Sequence, residues 1–247
     1  MKKLILAIWE TLADLIYPAS IYCINCGNII DDSRPYALCD TCVRTMNWAN
    51  EQTCNKCGKI LRKGYEYLLC TDCSVIKHSF EKGFACVEYG RAERDLIHKF
   101  KYKDKVYLGQ KLAEIMYDRI MIEDLALDII IPVPMYRGKE KKRGYNQAAV
   151  LAMRLSRLMD KPLDKRILVR AVDTEPMSNL GAEERRKNMQ KAFTVRKDGD
   201  RKIRNKTILL IDDVYTTGST ADACADALLA VGAASVYLFV FAAGANL

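Results

Sequence analysis

From about residue 79 the chain alternates between two hydrophobic periods. GFACVEYG, LDIIIPVP, KTILLIDDV and SVYLFVFAAG are short apolar runs of strand length. Between them, RAERDLIHKFKYK, YLGQKLAEIMYDRI, NQAAVLAMRLSRLM and STADACADALLAVGA place apolar residues every three or four positions, the period of a helix with one buried face. Strands separated by helices predict parallel βαβ units and an α/β sheet, with LDIIIPVP buried on both faces. Ligands of such sheets sit beyond the carboxyl ends of the strands. At the start of the chain, MKKLILAIWETLADLIYPAS puts Leu4, Ile5, Ile8, Leu12, Leu15 and Ile16 on one helical stripe ended by Pro18. Glu10 and Asp14 interrupt it too early for the apolar core of a secretory signal, so an amphipathic helix is expected. No apolar segment reaches the roughly 20 residues that span a bilayer, and an integral membrane protein is not expected.

Cysteine sets the stretch between these regions apart. Eight of the ten cysteines form four C-x2-C pairs: Cys23 and Cys26, Cys39 and Cys42, Cys54 and Cys57, Cys70 and Cys73. The second four repeat the first at an offset of 31 residues, and CINCG returns as CNKCG. Two sulfurs aimed at one cation need a tight turn behind them, and Gly27 and Gly58 supply the positive φ that closes it. Four thiolates in a tetrahedron suit Zn²⁺, so two structural zinc ions are expected, held sequentially or in an interleaved brace. A disulfide framework and an iron–sulfur cluster are the competing readings, the first disfavoured without a signal peptide. Cys86 and Cys224 read as small buried hydrophobes, and His78 and His98 as core or surface residues without ligand spacing.

Charge is divided unevenly. The 247 residues carry a net +8; residues 1–90 hold ten basic and ten acidic side chains, and the rest hold 29 and 21. Metallation would bring the N-terminal part to about −4. A soluble globular chain, half apolar and 28% charged, thus keeps its basic surplus on the larger part, where nucleic acid or phosphorylated metabolites are the partners to expect.

Two strand ends carry unusual chemistry. After LDIIIPVP comes MYRGKEKKRGYNQ, with Arg137, Lys139, Lys141, Lys142 and Arg143 in seven residues. After TILLI come Asp212 and Asp213, then Thr216, Thr217, Gly218, Ser219 and Thr220 leading into a helix. Backbone N–H groups and hydroxyls at a helix start form a phosphate cradle. The paired carboxylates ahead of it suit vicinal sugar hydroxyls or a hydrated Mg²⁺. A ribose 5-phosphate satisfies both. No Walker A and no G-x-G-x-x-G pattern occurs, and a plain strand-turn-helix with exposed acids is the alternative.

ILLIDDVYTTGST resembles the phosphoribosyl pyrophosphate (PRPP) signature of type I phosphoribosyltransferases. With YPASIYCINCG, the paired ribbons, IIPVPMYRGKEKKRGYNQ and TEPMSNLGAEERRKNMQKAF, the whole chain resembles the ComF family of bacterial competence proteins. The resemblance implies a small double zinc-ribbon domain with the N-terminal helix at 1–78, then at 79–247 a type I phosphoribosyltransferase-like parallel sheet flanked by helices. It implies PRPP or a related ribose phosphate, bound with Mg²⁺, with Asp212 and Asp213 on the ribose hydroxyls and residues 216–220 on the 5-phosphate. Met135, Tyr136 and Arg137 would form the pyrophosphate loop, and residues 174–193 a mobile cover, in which Met177 replaces the family's usual glutamine. The implied role is handling of transforming DNA in the cytoplasm, by binding single-stranded DNA beside competence or recombination proteins. The alternative is an active Mg²⁺-dependent phosphoribosyltransferase on a nucleobase or amine acceptor; no residue is assigned as catalytic.

Overall fold

The computed structural model describes residues 21–102, 105–171 and 192–246. The expected N-terminal helix, and residues 174–191 of the expected cover with Met177, lie outside them. Residues up to Met46 form one compact unit and Asn47–Leu247 another.

The smaller unit holds the first cysteine ribbon. Its chain reverses at the knuckle, where Tyr22 bridges Ile29 and the Gly27 N–H donates to the Cys23 carbonyl at 2.9 Å. The short helix α1 (Asp40–Thr45) then begins at the second knuckle.

In the larger unit the second ribbon repeats that geometry at the same 31-residue offset. Thr53 bridges Ile60, the Gly58 N–H donates to the Cys54 carbonyl at 2.9 Å, and α2 (Thr71–Val75) follows Cys70. The chain continues through β1 (Gly83–Glu88), α3 (Arg91–Phe100), α4 (Leu108–Met121), β2 (Ile129–Pro132), α5 (Arg137–Arg143) and α6 (Gln147–Leu158). It ends with β3 (Leu168–Arg170), β4 (Phe193–Val195), α7 (Asp200–Ile203), β5 (Thr207–Tyr215), α8 (Ser219–Ala230) and β6 (Ser235–Ala243).

β1, β6, β5 and β2 lie side by side in that order, all parallel, as the alternating pattern predicts. Ile208, Leu209, Leu210 and Ile211 in β5 are fully buried. The two-residue period of a strand sends two of them to each face, so both faces are covered. Each such side chain contributes roughly 1.5–3 kcal/mol of burial. α4 packs on β1 and β6 and α6 on β2 and β5, while α8 contacts β5, β6 and the β3–β4 hairpin.

The division between units falls at Met46/Asn47 rather than at the change of sequence pattern near residue 79. The reason is packing. Cys54, Cys57, Cys70 and Cys73 share one buried cluster with Ile208, Leu210, Leu238 and Leu228. The Gly83 N–H donates to the Lys56 carbonyl at 2.7 Å, tying the second knuckle to the start of β1.

Two further features go beyond the sequence pattern. The basic stretch after β2 is helical over Arg137–Arg143 and stops at Gly144, whose φ is 98°. Lys, Arg and Glu are good helix formers, which the count of charges alone conceals. The antiparallel pair β3–β4 joins segments on either side of residues 172–191, and its three-residue strands are too short for a periodicity to register.

Candidate metal centres and ligand cleft

The eight paired cysteines gather into two sets, Cys23, Cys26, Cys39 and Cys42, and Cys54, Cys57, Cys70 and Cys73. The pairing is sequential. Within each set the four sulfurs lie within 4.8 Å of one another, and the Cys26–Cys39 and Cys57–Cys70 sulfurs are 3.6 and 3.7 Å apart. A tetrahedron with Zn–S near 2.3 Å requires about 3.8 Å between sulfurs, so both sets fit zinc. Backbone N–H groups support the thiolates equivalently, Cys39 donating to Cys23 Sγ at 3.4 Å and Cys70 to Cys54 Sγ at 3.3 Å. Hydrogen bonds from Cys57, Cys70 and Cys73 hold the Cys54 thiol far below its ordinary value, while neighbouring thiols, Cys54 first, push Cys57 and Cys73 up. Four thiols so crowded cannot all ionise without a cation, and a divalent ion resolves that conflict. Burial pushes the thiols of Cys86 and Cys224 up, as expected of unreactive core cysteines.

The second constellation is the end of β5. The Asp213 N–H donates to Asp212 Oδ1 at 2.9 Å, and Asp213 pairs with Lys101 Nζ at 3.2 Å. Burial, then the charge of Asp213, pushes the Asp212 carboxyl well above the usual range. Hydroxyl donors or a cation placed beside the pair would favour its ionised form. Gly218, at φ 84°, is the N-cap of α8, so the chain turns sharply between the acids and the helix. Thr216 and Thr217 are exposed, and Thr217 Oγ1 lies 3.1 Å from Ser219 Oγ. Asp212 and residues 214–221 line a small open recess of about 50 Å³ at this turn. The structure thus brings Asp212, Thr216, Thr217, Gly218, Ser219 and Thr220 to one recess; Asp213 is not among the residues that line it and is held by Lys101.

Register places the other strand end beside it. Pro132 of β2 pairs with Ile211 of β5, and the Val133 N–H donates to the Ile211 carbonyl at 2.8 Å, so the loop after β2 leaves the sheet next to Asp212. That loop enters a larger cleft of about 630 Å³ in which Met135, Tyr136 and Arg137 face Lys165, Arg166, Arg170 and Arg196 from around β3 and β4. Among the described residues, five cations meet one acid, Glu140. Arg143 to Gln147 frame this loop rather than line the cleft, Asn146 excepted. Arg143 donates to Gln147 Oε1 at 2.7 Å, Asn146 donates to the Val133 carbonyl at 2.9 Å and caps α6, and the Tyr145 hydroxyl donates to the carbonyls of Phe100 and Tyr102. The motif thereby fixes the end of α3, where Lys101 stands, to the loop after β2.

Sequence reasoning missed Lys101 and the cations of the β3–β4 hairpin. The lysines of HKFKYK and the basic run in DKRILVR were visible signals, without any sign of which strand end they meet.

A double zinc ribbon domain family matches residues 12–74, and a phosphoribosyl transferase domain family matches residues 145–246. The competence protein F of Haemophilus influenzae is 31% identical over 173 residues, covering 68% of this chain and 75% of that protein. The chain belongs to the competence protein F family. The DNA utilization protein YhgH of Escherichia coli K12 is 28% identical over 157 residues, 62% of this chain and 67% of its relative. The competence protein ComFC of Bacillus subtilis is 35% identical over 112 residues, 45% and 42% of the two chains. Among solved structures, the glutamine PRPP amidotransferase of B. subtilis is similar over 56% of this chain and 27% of that chain, at 11% identity and a TM-score of 0.37. A hypoxanthine phosphoribosyltransferase of Staphylococcus aureus is similar over 53% and 61%, at 14% identity and a TM-score of 0.35. The four-cysteine ribbons and the phosphoribosyltransferase-type sheet are thus family features, and no described helix is long and apolar enough to cross a membrane.

Proposed function

We propose that the protein binds PRPP, or a related ribose phosphate, with Mg²⁺ at the end of β5, and holds single-stranded DNA along the adjoining basic cleft. The reading places it in the cytoplasm, handling transforming DNA as the names of the Haemophilus and Bacillus relatives suggest for those proteins. Asp212 and Asp213 would take the ribose hydroxyls and the cation, and residues 216–220 the 5-phosphate. Met135, Tyr136 and Arg137 would face the pyrophosphate. The observation that carries the reading is the cleft's composition beside the acid pair: among the described residues, Arg137, Lys165, Arg166, Arg170 and Arg196 against one acid, Glu140. Such a lining suits a row of phosphates better than a neutral nucleobase.

The test is calorimetric titration with PRPP and Mg²⁺, and separately with single-stranded DNA over a range of salt. Engagement of all five cations would give a logarithmic salt slope of about −3.5 for a single strand. Salt-insensitive or absent DNA binding removes the nucleic-acid reading, and absent PRPP binding removes the ligand reading. Release of pyrophosphate with a nucleobase or amine would instead establish the transferase.

A further inference from the structure

His78 lies five residues beyond Cys73 and is buried directly beneath the turn at Gly218. Its Nδ1 is 2.9 Å from Asp222 Oδ2 and its Nε2 is 3.2 Å from the Tyr215 hydroxyl. The other Asp222 oxygen accepts from the Ser79 N–H at 2.9 Å, so both carboxylate oxygens hold this one linker. Tyr215 is the last residue of β5 and Asp222 stands in the first turn of α8. One imidazole therefore bridges the two ends of the turn proposed to hold phosphate. A Cβ added at Gly218 would come within 2.7 Å of His78 Cε1 and 2.8 Å of the Tyr215 hydroxyl, so the turn rests on this pair without a gap.

The second ribbon holds the same parts from behind. Lys59, next to the glycine of the knuckle, lies 5.8 Å from the Tyr215 ring centroid and pairs with Asp72 at 2.6 Å. Lys56 donates to the carbonyls of Phe80 and Glu81, and Phe80 stacks on His78 with centroids 4.9 Å apart. Beyond Cys70, the Thr71 hydroxyl and N–H both meet Asn246 Oδ1, at 2.9 and 3.1 Å. The Gly244 N–H in turn donates to the Tyr215 carbonyl at 2.8 Å. Each of these routes from the second cysteine set to the turn runs through packed or hydrogen-bonded atoms.

We infer that His78 is a positioning residue through which the second zinc ribbon seats the turn at residues 216–220, so that zinc on Cys54, Cys57, Cys70 and Cys73 and a phosphate on the turn strengthen each other's binding. The inference rests on the proposed phosphate site and adds a coupling to it. Linkage makes the effect reciprocal: a ligand that favours the seated turn must raise the affinity of that zinc by the factor by which the zinc raises its own.

The test uses the full-length protein loaded with two zinc ions, titrated at equilibrium with a zinc-selective chelator, with and without ribose 5-phosphate. Ribose 5-phosphate is expected to tighten one zinc ion by about 5- to 150-fold, the usual span of such couplings, and to leave the other unchanged. In His78→Ala both ions remain bound, the enhancement disappears and ribose 5-phosphate weakens by the same factor. His78→Asn, which keeps a nitrogen donor toward Asp222, recovers part of it. Tyr215→Phe removes one hydroxyl without removing packing and gives a smaller loss if His78→Ala does not fold. Bound ribose 5-phosphate with neither ion tightened, or with both tightened alike, overturns the inference and leaves the proposed function standing. If wild-type protein binds PRPP alone, PRPP replaces ribose 5-phosphate in the titration; if it binds neither, the proposed ligand site fails. Amide exchange at residues 216–222 then decides the seating alone: faster exchange in His78→Ala supports it, and unchanged exchange refutes it.

Discussion

Gly27 and Gly58 occupy the same position of the cysteine repeat, with φ of 79° and 76°, yet their replacement by alanine should have very different consequences. Both substitutions force an L residue into the left-handed region, at roughly 1–2 kcal/mol. At Gly27 the added Cβ meets no described atom within 4 Å, so the loss stops there. At Gly58 the Cβ would sit 2.7 Å from the Gly83 carbonyl oxygen and 2.8 Å from Phe84 Cα, both backbone atoms of β1 that cannot rotate aside. Overpacking of this kind adds about 1–3 kcal/mol, which brings Gly58→Ala to roughly 2–5 kcal/mol. Against a total stability of about 5–15 kcal/mol that is a large fraction. Urea unfolding followed by circular dichroism, dominated by the helices of the larger unit, should show a midpoint lowered by about 1 M or more for Gly58→Ala. Gly27→Ala should shift that midpoint less, by no more than its roughly 1–2 kcal/mol of backbone cost gives. A Cβ added at Gly83 would meet the same contact from the other side, 2.9 Å from the Cys57 carbonyl oxygen, so Gly58→Ala with Gly83→Ala should be non-additive. Equal midpoint shifts for Gly27→Ala and Gly58→Ala would refute backbone-to-backbone packing of the second ribbon on β1.

Other expectations follow from charge. Asp212, its carboxyl raised by burial and by Asp213, contributes stability below its unfolded value of about 3.9, and this is lost as pH rises through its folded value. Asp212→Asn should therefore be more stable than wild type at pH 8 and equal to it near pH 3, read from urea midpoints, while binding PRPP and Mg²⁺ more weakly. Lys101→Ala removes the cation 3.2 Å from Asp213, and should weaken PRPP less than Asp213→Asn does, compared by calorimetry. Acid should release both zinc ions, because protons compete with metal for the thiolates; a chromogenic zinc indicator across a pH series would register this. Arg166→Ala with Arg196→Ala should flatten the salt slope for single-stranded DNA by about 1.4, or roughly 0.7 for each phosphate left without its arginine, with the affinity for ribose 5-phosphate unchanged.

The sheet was legible because its strands are long, apolar runs bounded by turn chemistry. Ile208 to Ile211 and the acids after them stand where TILLIDD puts them, at the carboxyl end of a strand buried on both faces. The zinc sets were equally legible, since four C-x2-C pairs at a fixed offset leave few geometries. What the repeat concealed is that its copies live in different surroundings. Lys59 and Gly58 correspond by offset to Asn28 and Gly27, and nothing local in CNKCG announces that Lys59 will lie against Tyr215, more than 150 positions away. His78 was legible as a histidine without ligand spacing; its contact with Asp222 spans 144 positions and has no local signature. The same holds for Lys101, which reaches Asp213 because RGYNQ ties the end of α3 to the loop after β2. Interactions set by sheet register and long closure lie outside any periodicity.

The charge arrangement also decides how two anionic ligands could share the proposed site. Paired carboxylates at the end of β5 repel a continuous row of phosphates, whereas the cations lie around the loop after β2 and the β3–β4 hairpin. A ligand with hydroxyls in its middle and phosphates at its ends is accommodated in one orientation only, hydroxyls toward Asp212 and Asp213. A nucleic-acid strand has no such interruption and, under the proposed function, would be confined to the basic cleft, away from the acids. Ribose 5-phosphate, reaching only the β5 turn, should then leave DNA affinity nearly unchanged, while PRPP, whose pyrophosphate extends toward Arg137, should compete with it. That difference between two ligands sharing one ribose is a direct consequence of which strand end carries the acids and which the cations.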